Sequence, residues 1–270
     1  MKWAKKYLSL YEQAYSNALH PLFDAIKERV EKGNKAEHVD VSVVVIARNE
    51  ETRLSACLWS LSENITDYRF EIIGVDNGSN DHTPEIYQRC GVNYQQELRA
   101  GHGFARNCGQ SVARGTYCLC VDSDTIYPPH YIQTVVDTLK QEGVVATTGF
   151  YNFIPTKTSE QIFFWFYKYI RMIHYLLQMQ KRPELVARGT VLSYRTELGR
   201  IKGFRTDLAR GEDGSMVFDL MPLGKIKLIL DRKAQVLTGM RSLSGDETLL
   251  KSLVSRISKH LKDLRGHYIR

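Results

Sequence analysis

Two carboxylates one residue apart, Asp122 and Asp124, close the apolar run Thr116-Tyr117-Cys118-Leu119-Cys120-Val121. A buried strand sends successive side chains to opposite faces, but beyond its C-terminal end the chain turns, so both carboxylates can converge on one hard divalent cation. Such an ion could clamp a diphosphate. An isolated Asp-x-Asp is equally a solvated turn, so its neighbours decide between the two. A second apolar run ends in Ala47-Arg48-Asn49-Glu50, and a third in Asp76-Asn77-Gly78-Ser79-Asn80-Asp81-His82-Thr83. There Gly78 permits a tight turn, and Ser79 or Asp81 can cap the helix that follows. Ahead of Asp122 lies Gly101-His102-Gly103-Phe104-Ala105-Arg106-Asn107-Cys108-Gly109, glycine-rich at a helix start, with Arg106 able to reach a phosphate or a base.

These groups need a scaffold that brings strand ends together. The pattern predicts a strand over 41–47, a helix over about 51–63, a strand over 70–75, helices over about 83–90 and 103–113, and a strand over 116–121. This βαβ series implies a parallel sheet with helices on both faces and ligands beyond the carboxyl ends of the strands. Val144 to Phe150 and Lys227 to Leu237 read as further strands. Residues 1–38 carry apolar positions at helical spacing, divided by Pro21, and form an N-terminal helical extension; a catalytic domain covers 39–240, and 241–270 carries a basic amphipathic helix from Leu249 to Tyr268.

In this order and spacing the strand-end residues resemble glycosyltransferase family 2, the inverting enzymes that use nucleotide-diphospho-sugars. The resemblance runs from about Val41 to Met240, and the Asp-Asn-Gly-Ser-x-Asp-x-Thr turn and the Ala-Arg-Asn-x-Gly helix are its most specific parts. It implies the GT-A fold, a Rossmann-like α/β architecture whose mixed, mainly parallel sheet is flanked by helices, here with helical extensions at both termini. It also implies a donor, most commonly a UDP-sugar, lying across the strand ends. Ala47, Asn49 and Glu50 would line the base and ribose pocket, Asp76 would bond the base, and Arg106 would lie near the nucleotide. Asp122 and Ser123 would sit beside the ribose and donor sugar, and Asp124 would hold a Mn²⁺ or Mg²⁺ bridging the diphosphate, which stabilises the leaving group as charge develops on it.

The same resemblance extends to Arg210-Gly211-Glu212-Asp213-Gly214, where the second carboxylate of the family's Glu-Asp pair takes the acceptor's proton. That nominates Asp213 as base and Glu212 as its support. Gly189 and Phe204 fall where relatives shape the sugar and acceptor pocket, and Arg241 where a basic residue often approaches the diphosphate. The run Gly203-Phe204-Arg205-Thr206-Asp207 departs from the Gly-Gly-Phe plus acidic residue of many relatives, so the acceptor contacts differ here.

Of the 270 residues, 43% are hydrophobic and 25% charged, an ordinary globular composition, and the net charge of +7 favours an anionic partner. Five cysteines without paired metal-ligand spacing fit a reduced, cytoplasmic setting. Between Ile162 and Met179 a broad aromatic face leaves Lys168, Arg171, Tyr175 and Gln178 on a narrow polar stripe. Such a helix suits either the core or the headgroup region of a membrane. With the basic C-terminal helix, it suggests peripheral contact with an anionic inner membrane face and a lipid or glycan acceptor. Two other readings compete. A sugar-phosphate nucleotidyltransferase shares sheet and aspartates but opens with a glycine-rich, arginine-bearing loop that Ala47-Arg48-Asn49-Glu50-Glu51 lacks. A non-catalytic basic scaffold explains the charge but not the carboxylates, and no nucleic-acid partner is expected.

Overall fold

The computed structural model describes residues 2–16, 19–154 and 158–239. Arg241 and the expected C-terminal helix lie outside these residues. Helix α1 (Lys5–Leu8) and helix α2 (His20–Asn34) lead into strand β1 (Val41–Ala47), and Pro21 starts α2 rather than separating two long helices. A proline fits the first turn, where its missing N–H costs no helical hydrogen bond. The chain continues through α3 (Leu54–Ser62), β2 (Phe70–Asp76), α4 (Thr83–Arg89), β3 (Asn93–Gln96), α5 (His102–Val112), β4 (Tyr117–Asp122) and β5 (Thr125–Ile126). Then come α6 (Tyr131–Leu139), β6 (Val144–Gly149), β7 (Tyr151–Phe153), α7 (Thr158–Lys181), β8 (Ser193–Arg195), α8 (Thr196–Lys202), α9 (Glu212–Leu220), β9 (Lys225–Ile229) and β10 (Val236–Thr238).

Seven strands form one sheet in the order β3-β2-β1-β4-β8-β6-β9, with β8 antiparallel to both neighbours and the other pairings parallel. Strand β1 shows why the sheet is covered on both faces. Its Val41, Val43, Val45 and Ala47 enter one apolar cluster with Phe23, Leu54, Leu58 and Ile132, while Val44 and Ile46 enter another with Ala105, Met216 and Val217. Alternation along a pleated strand feeds both layers, so a run of β-branched residues is the composition expected of it. The mixed, mostly parallel sheet between helical layers is the GT-A architecture anticipated from the sequence.

A small second sheet, β5-β10-β7, lies beside the first. The stretch read as one strand from Lys227 to Leu237 divides between the two sheets, because the Asp231 carboxylate accepts the Lys233 N–H at 2.8 Å and stabilises a 3₁₀ turn there. Helix α7 reverses another expectation. Arg171 and Gln178, assigned to a polar stripe, are buried along with Tyr175, while Phe166, Tyr169, Ile173 and Leu176 point outward. Arg171 is held by aromatic faces, its guanidinium 3.9 Å from the Tyr151 ring centre and 4.4 Å from that of Phe150, and cation–π attraction offsets part of its desolvation. No described helix is long and apolar enough to cross a membrane.

Candidate active site

The order β2-β1-β4 creates a switch point: the chain proceeds outward from β1 to β2 and then returns to place β4 on the other side. Crevices at such points lie beyond the carboxyl ends of the strands. Register aligns those ends, since Ala47 pairs with Asp76 and Ile46 with Asp122.

The first two loops are laced together. The Asn49 N–H donates to Ser79 Oγ at 2.9 Å, the Asn80 N–H to Asn49 Oδ1 at 2.8 Å, and the Glu50 N–H to Thr83 Oγ1 at 2.8 Å. Asn49 achieves this with φ near 54°, a left-handed conformation that asparagine tolerates better than most residues. Asp76 is fully buried; one carboxylate oxygen accepts the Ser79 N–H at 3.1 Å, and the other is buried with no hydrogen-bond partner among the described residues. A carboxylate oxygen in that condition has acceptor capacity to spare.

Arg106 joins the halves of the site. It rises from α5, whose glycines allow close packing: a Cβ on Gly109 would meet Val44 at 2.2 Å, and one on Gly103 would meet the Arg205 carbonyl at 2.3 Å. The buried guanidinium donates to Asp122 Oδ1 at 3.2 Å, and its Nε stands 3.1 Å from Asp213 Oδ1 and 4.0 Å from Glu212 Oε1. Asp213 Oδ2 accepts the Gly189 N–H at 2.7 Å. A Cβ at 189 would lie 1.6 Å from Arg106 Nη2, so a side chain there would force the guanidinium to shift. Phe204 is buried beneath, with the guanidinium 5.7 Å from its ring centre, and both polar atoms of the Asn107 amide clip its backbone at 2.7 and 2.8 Å. Thus the structure brings Asp122, Glu212, Asp213, Gly189 and Phe204 around Arg106, while Ala47, Asn49, Glu50 and Asp76 line the neighbouring loops.

The charge balance is uneven. Burial raises Asp122 to about 6; Arg106 opposes the rise, and repulsion from Asp124 and Asp213 adds to it. Burial and then Glu50 push Asp124 up against the opposing hydrogen bonds of Thr125 and Thr238, and burial and then Asp213 push Glu212 up. For Arg106 burial favours loss of the proton, but Asp213 and Asp122 outweigh it and hold the guanidinium above its ordinary range.

No group of three or more His, Cys, Asp and Glu side chains among the described residues forms a complete metal cage. Mg²⁺ and Mn²⁺ favour oxygen ligands, and Mg²⁺ is commonly held by one or two carboxylates plus substrate phosphates and water. Partly exposed, mutually repelling Asp122 and Asp124 fit such an ion. Near Asp124 are residues the sequence did not mark: Thr125 and Thr238 hydroxyls donate to its Oδ1 at 3.2 and 3.3 Å, and Tyr11 Oη donates to its carbonyl at 2.8 Å. Tyr11 belongs to the N-terminal extension, and no local motif singles it out.

The family model for glycosyl transferase family 2 matches residues 42–197, more than half of the chain. The chain belongs to this family. Its match to a dolichyl-phosphate hexose transferase of Haloferax volcanii is 31% identical over 110 residues, covering 41% of this chain and 47% of that protein. The chain spans about half or less of the length of the first curated relatives it matches. Among solved structures, Staphylococcus aureus TarS residues 1–349 in complex with UDP-GlcNAc aligns at a TM-score of 0.57 and 20% identity, over 82% of this chain and 66% of that one. The mannosyltransferase PcManGT of Pyrobaculum calidifontis, in complex with GDP-Man and Mn²⁺, aligns at 0.55 and 20% identity, over 87% and 68%. These likenesses establish the fold shared with the family.

Proposed function

We propose that this family 2 chain transfers a sugar, with inversion, from a nucleotide-diphospho-sugar to an acceptor hydroxyl, with Asp213 as the base. The observation that carries this reading is the single buried guanidinium of Arg106 spanning Asp122 on the donor strand end and Asp213 on α9. In this mechanism Asp213 Oδ1 takes the acceptor's proton as the acceptor oxygen bonds to the anomeric carbon. The bond from that carbon to the diphosphate breaks on the opposite side, and the nucleoside diphosphate leaves. Gly189 N–H and Arg106 hold the Asp213 carboxylate so that it does not swing during proton transfer. Glu212 supports the base from the first turn of α9. Asp124, with Asp122 beside it, would hold Mn²⁺ or Mg²⁺, which supplies electrophilic stabilisation of the leaving diphosphate. Asp76, with an unpartnered buried oxygen, is suited to a base N–H, and Asn49 and Glu50 to the ribose side.

UDP-sugar is the first donor to test, because UDP-GlcNAc accompanies TarS, and GDP-mannose the second, because it accompanies PcManGT. Incubation with a panel of nucleotide sugars and Mn²⁺ should release nucleoside diphosphate; release of inorganic pyrophosphate would instead identify nucleotidyl transfer. A lipid-linked acceptor is favoured by the outward Ile173 and Leu176 of α7, which are 53% and 44% exposed, and by the name of the Haloferax relative. Sedimentation with anionic vesicles tests that part: Ile173→Asp should weaken binding, and equal binding by the variant would refute it.

A further inference from the structure

The N-terminal segment forms part of the wall around Asp124. Tyr11 Oη donates to the Asp124 carbonyl at 2.8 Å, and the Gly239 N–H donates to the same oxygen at 3.2 Å. Space there is tight: a Cβ on Gly239 would stand 2.5 Å from Tyr11 Oη and 3.5 Å from Asp124 Oδ2. The Tyr11 ring packs against the cluster of Ala4, Tyr7, Ile126 and Leu237, and Arg53 lies over it with its guanidinium carbon 5.9 Å from the ring centre. Arg53 in turn reaches Glu50 and Glu12 at 3.3 Å each, and the Glu12 N–H donates to the Thr52 carbonyl at 2.9 Å. One segment, 11–12, therefore touches the turn that carries Asp124 and the loop that carries Glu50.

We infer that Tyr11 is a positioning residue for Asp124, fixing the backbone of the Asp122–Asp124 turn so that the Asp124 carboxylate is preset for a divalent cation. The inference rests on the reading of Asp124 as the metal ligand. Its physical basis is that a ligand's affinity depends on the partners that orient it, and loss of one such partner typically costs about 10- to 100-fold in metal affinity. The Tyr11 hydroxyl is one of two donors to the carbonyl that anchors the turn. A side chain at 239 would have to displace it, since a Cβ there would stand 2.5 Å from Tyr11 Oη.

The test measures Mn²⁺ binding directly, by loss of the free-ion EPR signal with saturating UDP or GDP, alongside donor kinetics. Tyr11→Phe keeps the ring and its packing, so the melting temperature should stay close to the parent's, while half-saturating Mn²⁺ should rise about 10-fold and kcat at saturating metal should change less than about twofold. Gly239→Ala should raise half-saturating Mn²⁺ similarly by displacing the hydroxyl. In the Tyr11→Phe background it should add little, since the new methyl then meets ring carbon Cζ at 3.7 Å, an ordinary contact. A parent chain that binds no Mn²⁺ with either nucleotide overturns the metal reading itself. A parent that binds and a Tyr11→Phe variant that binds equally well overturns the positioning role, as do variants that melt lower with half-saturating Mn²⁺ unchanged.

Discussion

Gly189→Ala is the sharpest probe of the Arg106 network. The added methyl would stand 1.6 Å from Arg106 Nη2, 2.3 Å from Cζ and 2.7 Å from Nη1, so the guanidinium must retreat by more than an ångström. It has little room, for its side chain is only 4% exposed and Phe204 lies beneath it. Retreat lengthens its contacts to Asp122 at 3.2 Å and to Asp213 at 3.1 Å together. Breaking a buried ion pair outright costs about 3–5 kcal/mol. Arginine is long enough to keep part of its contacts, so a loss near the lower end, about 3 kcal/mol, is expected in urea unfolding. A displacement of about 1 Å in a positioned group can cost about 100-fold in rate, and kcat/KM for nucleoside diphosphate release should fall by that order. Methionine ends before the atoms that clash, so Gly189→Ala should cost little when added to Arg106→Met. Stability within about 0.5 kcal/mol of the parent, the usual scatter of neutral surface changes, together with unchanged kcat/KM, would refute the reasoning.

Three further outcomes follow from the same geometry. Asp213→Asn should abolish transfer while leaving donor binding in place; normal turnover by this variant would remove Asp213 as the base. Glu212 has a raised folded pKa, so burying its ionised form costs stability that is absent well below pH 4.5, where it is protonated in both states, grows as pH rises through the folded pKa and then levels off. Glu212→Gln should therefore gain in melting temperature on the parent as pH rises above the ordinary glutamate range and then hold that gain in thermal scans, and a difference that shrinks with rising pH would contradict that sign. Asp76→Ala should raise the donor KM at least about tenfold, the scale of a lost hydrogen bond to a charged acceptor, and change kcat much less; a fall confined to kcat would place Asp76 elsewhere in the mechanism.

What the sequence revealed depended on the range of the interaction. Strand β1 was legible to the residue because seven consecutive apolar or small side chains, Val41 to Ala47, suit burial on both faces. The turn after β2 was legible through local glycine and Asp chemistry, although Ser79 also serves to bind the first loop at Asn49. Strand β8, three residues long and inserted antiparallel between β4 and β6, offers too few positions for a period to show. Helix α7 was misread in facing because periodicity sorts residues by polarity, whereas Arg171 is buried by aromatic rings contributed largely by β7 and its neighbours. The grouping of site residues around Arg106 was beyond local pattern for the same reason: α5, β4 and α9 are far apart in the chain and are brought together by the fold.

The Arg106 cluster also bears on why these polar residues are present at all. Apolar replacement of a complete buried ion-pair network is commonly neutral or stabilising by about 1–4 kcal/mol, so stability gives little reason to retain it. This cluster is weighted towards negative charge: Asp122, Glu212 and Asp213 lie round Arg106, with the His102 ring 3.7 Å from Glu212 and Arg188 also attracted to Asp213, Arg106 Nη1 has no hydrogen-bond partner among the described residues, and burial raises both Asp122 and Glu212. A network selected only for folding would shed a carboxylate. Violations of that kind concentrate where a chain trades stability for chemistry. The excess of negative charge therefore argues for a site that reaches electrostatic balance with its ligands in place, with the Arg106 guanidinium holding Asp122 and Asp213 at a set separation before those ligands arrive.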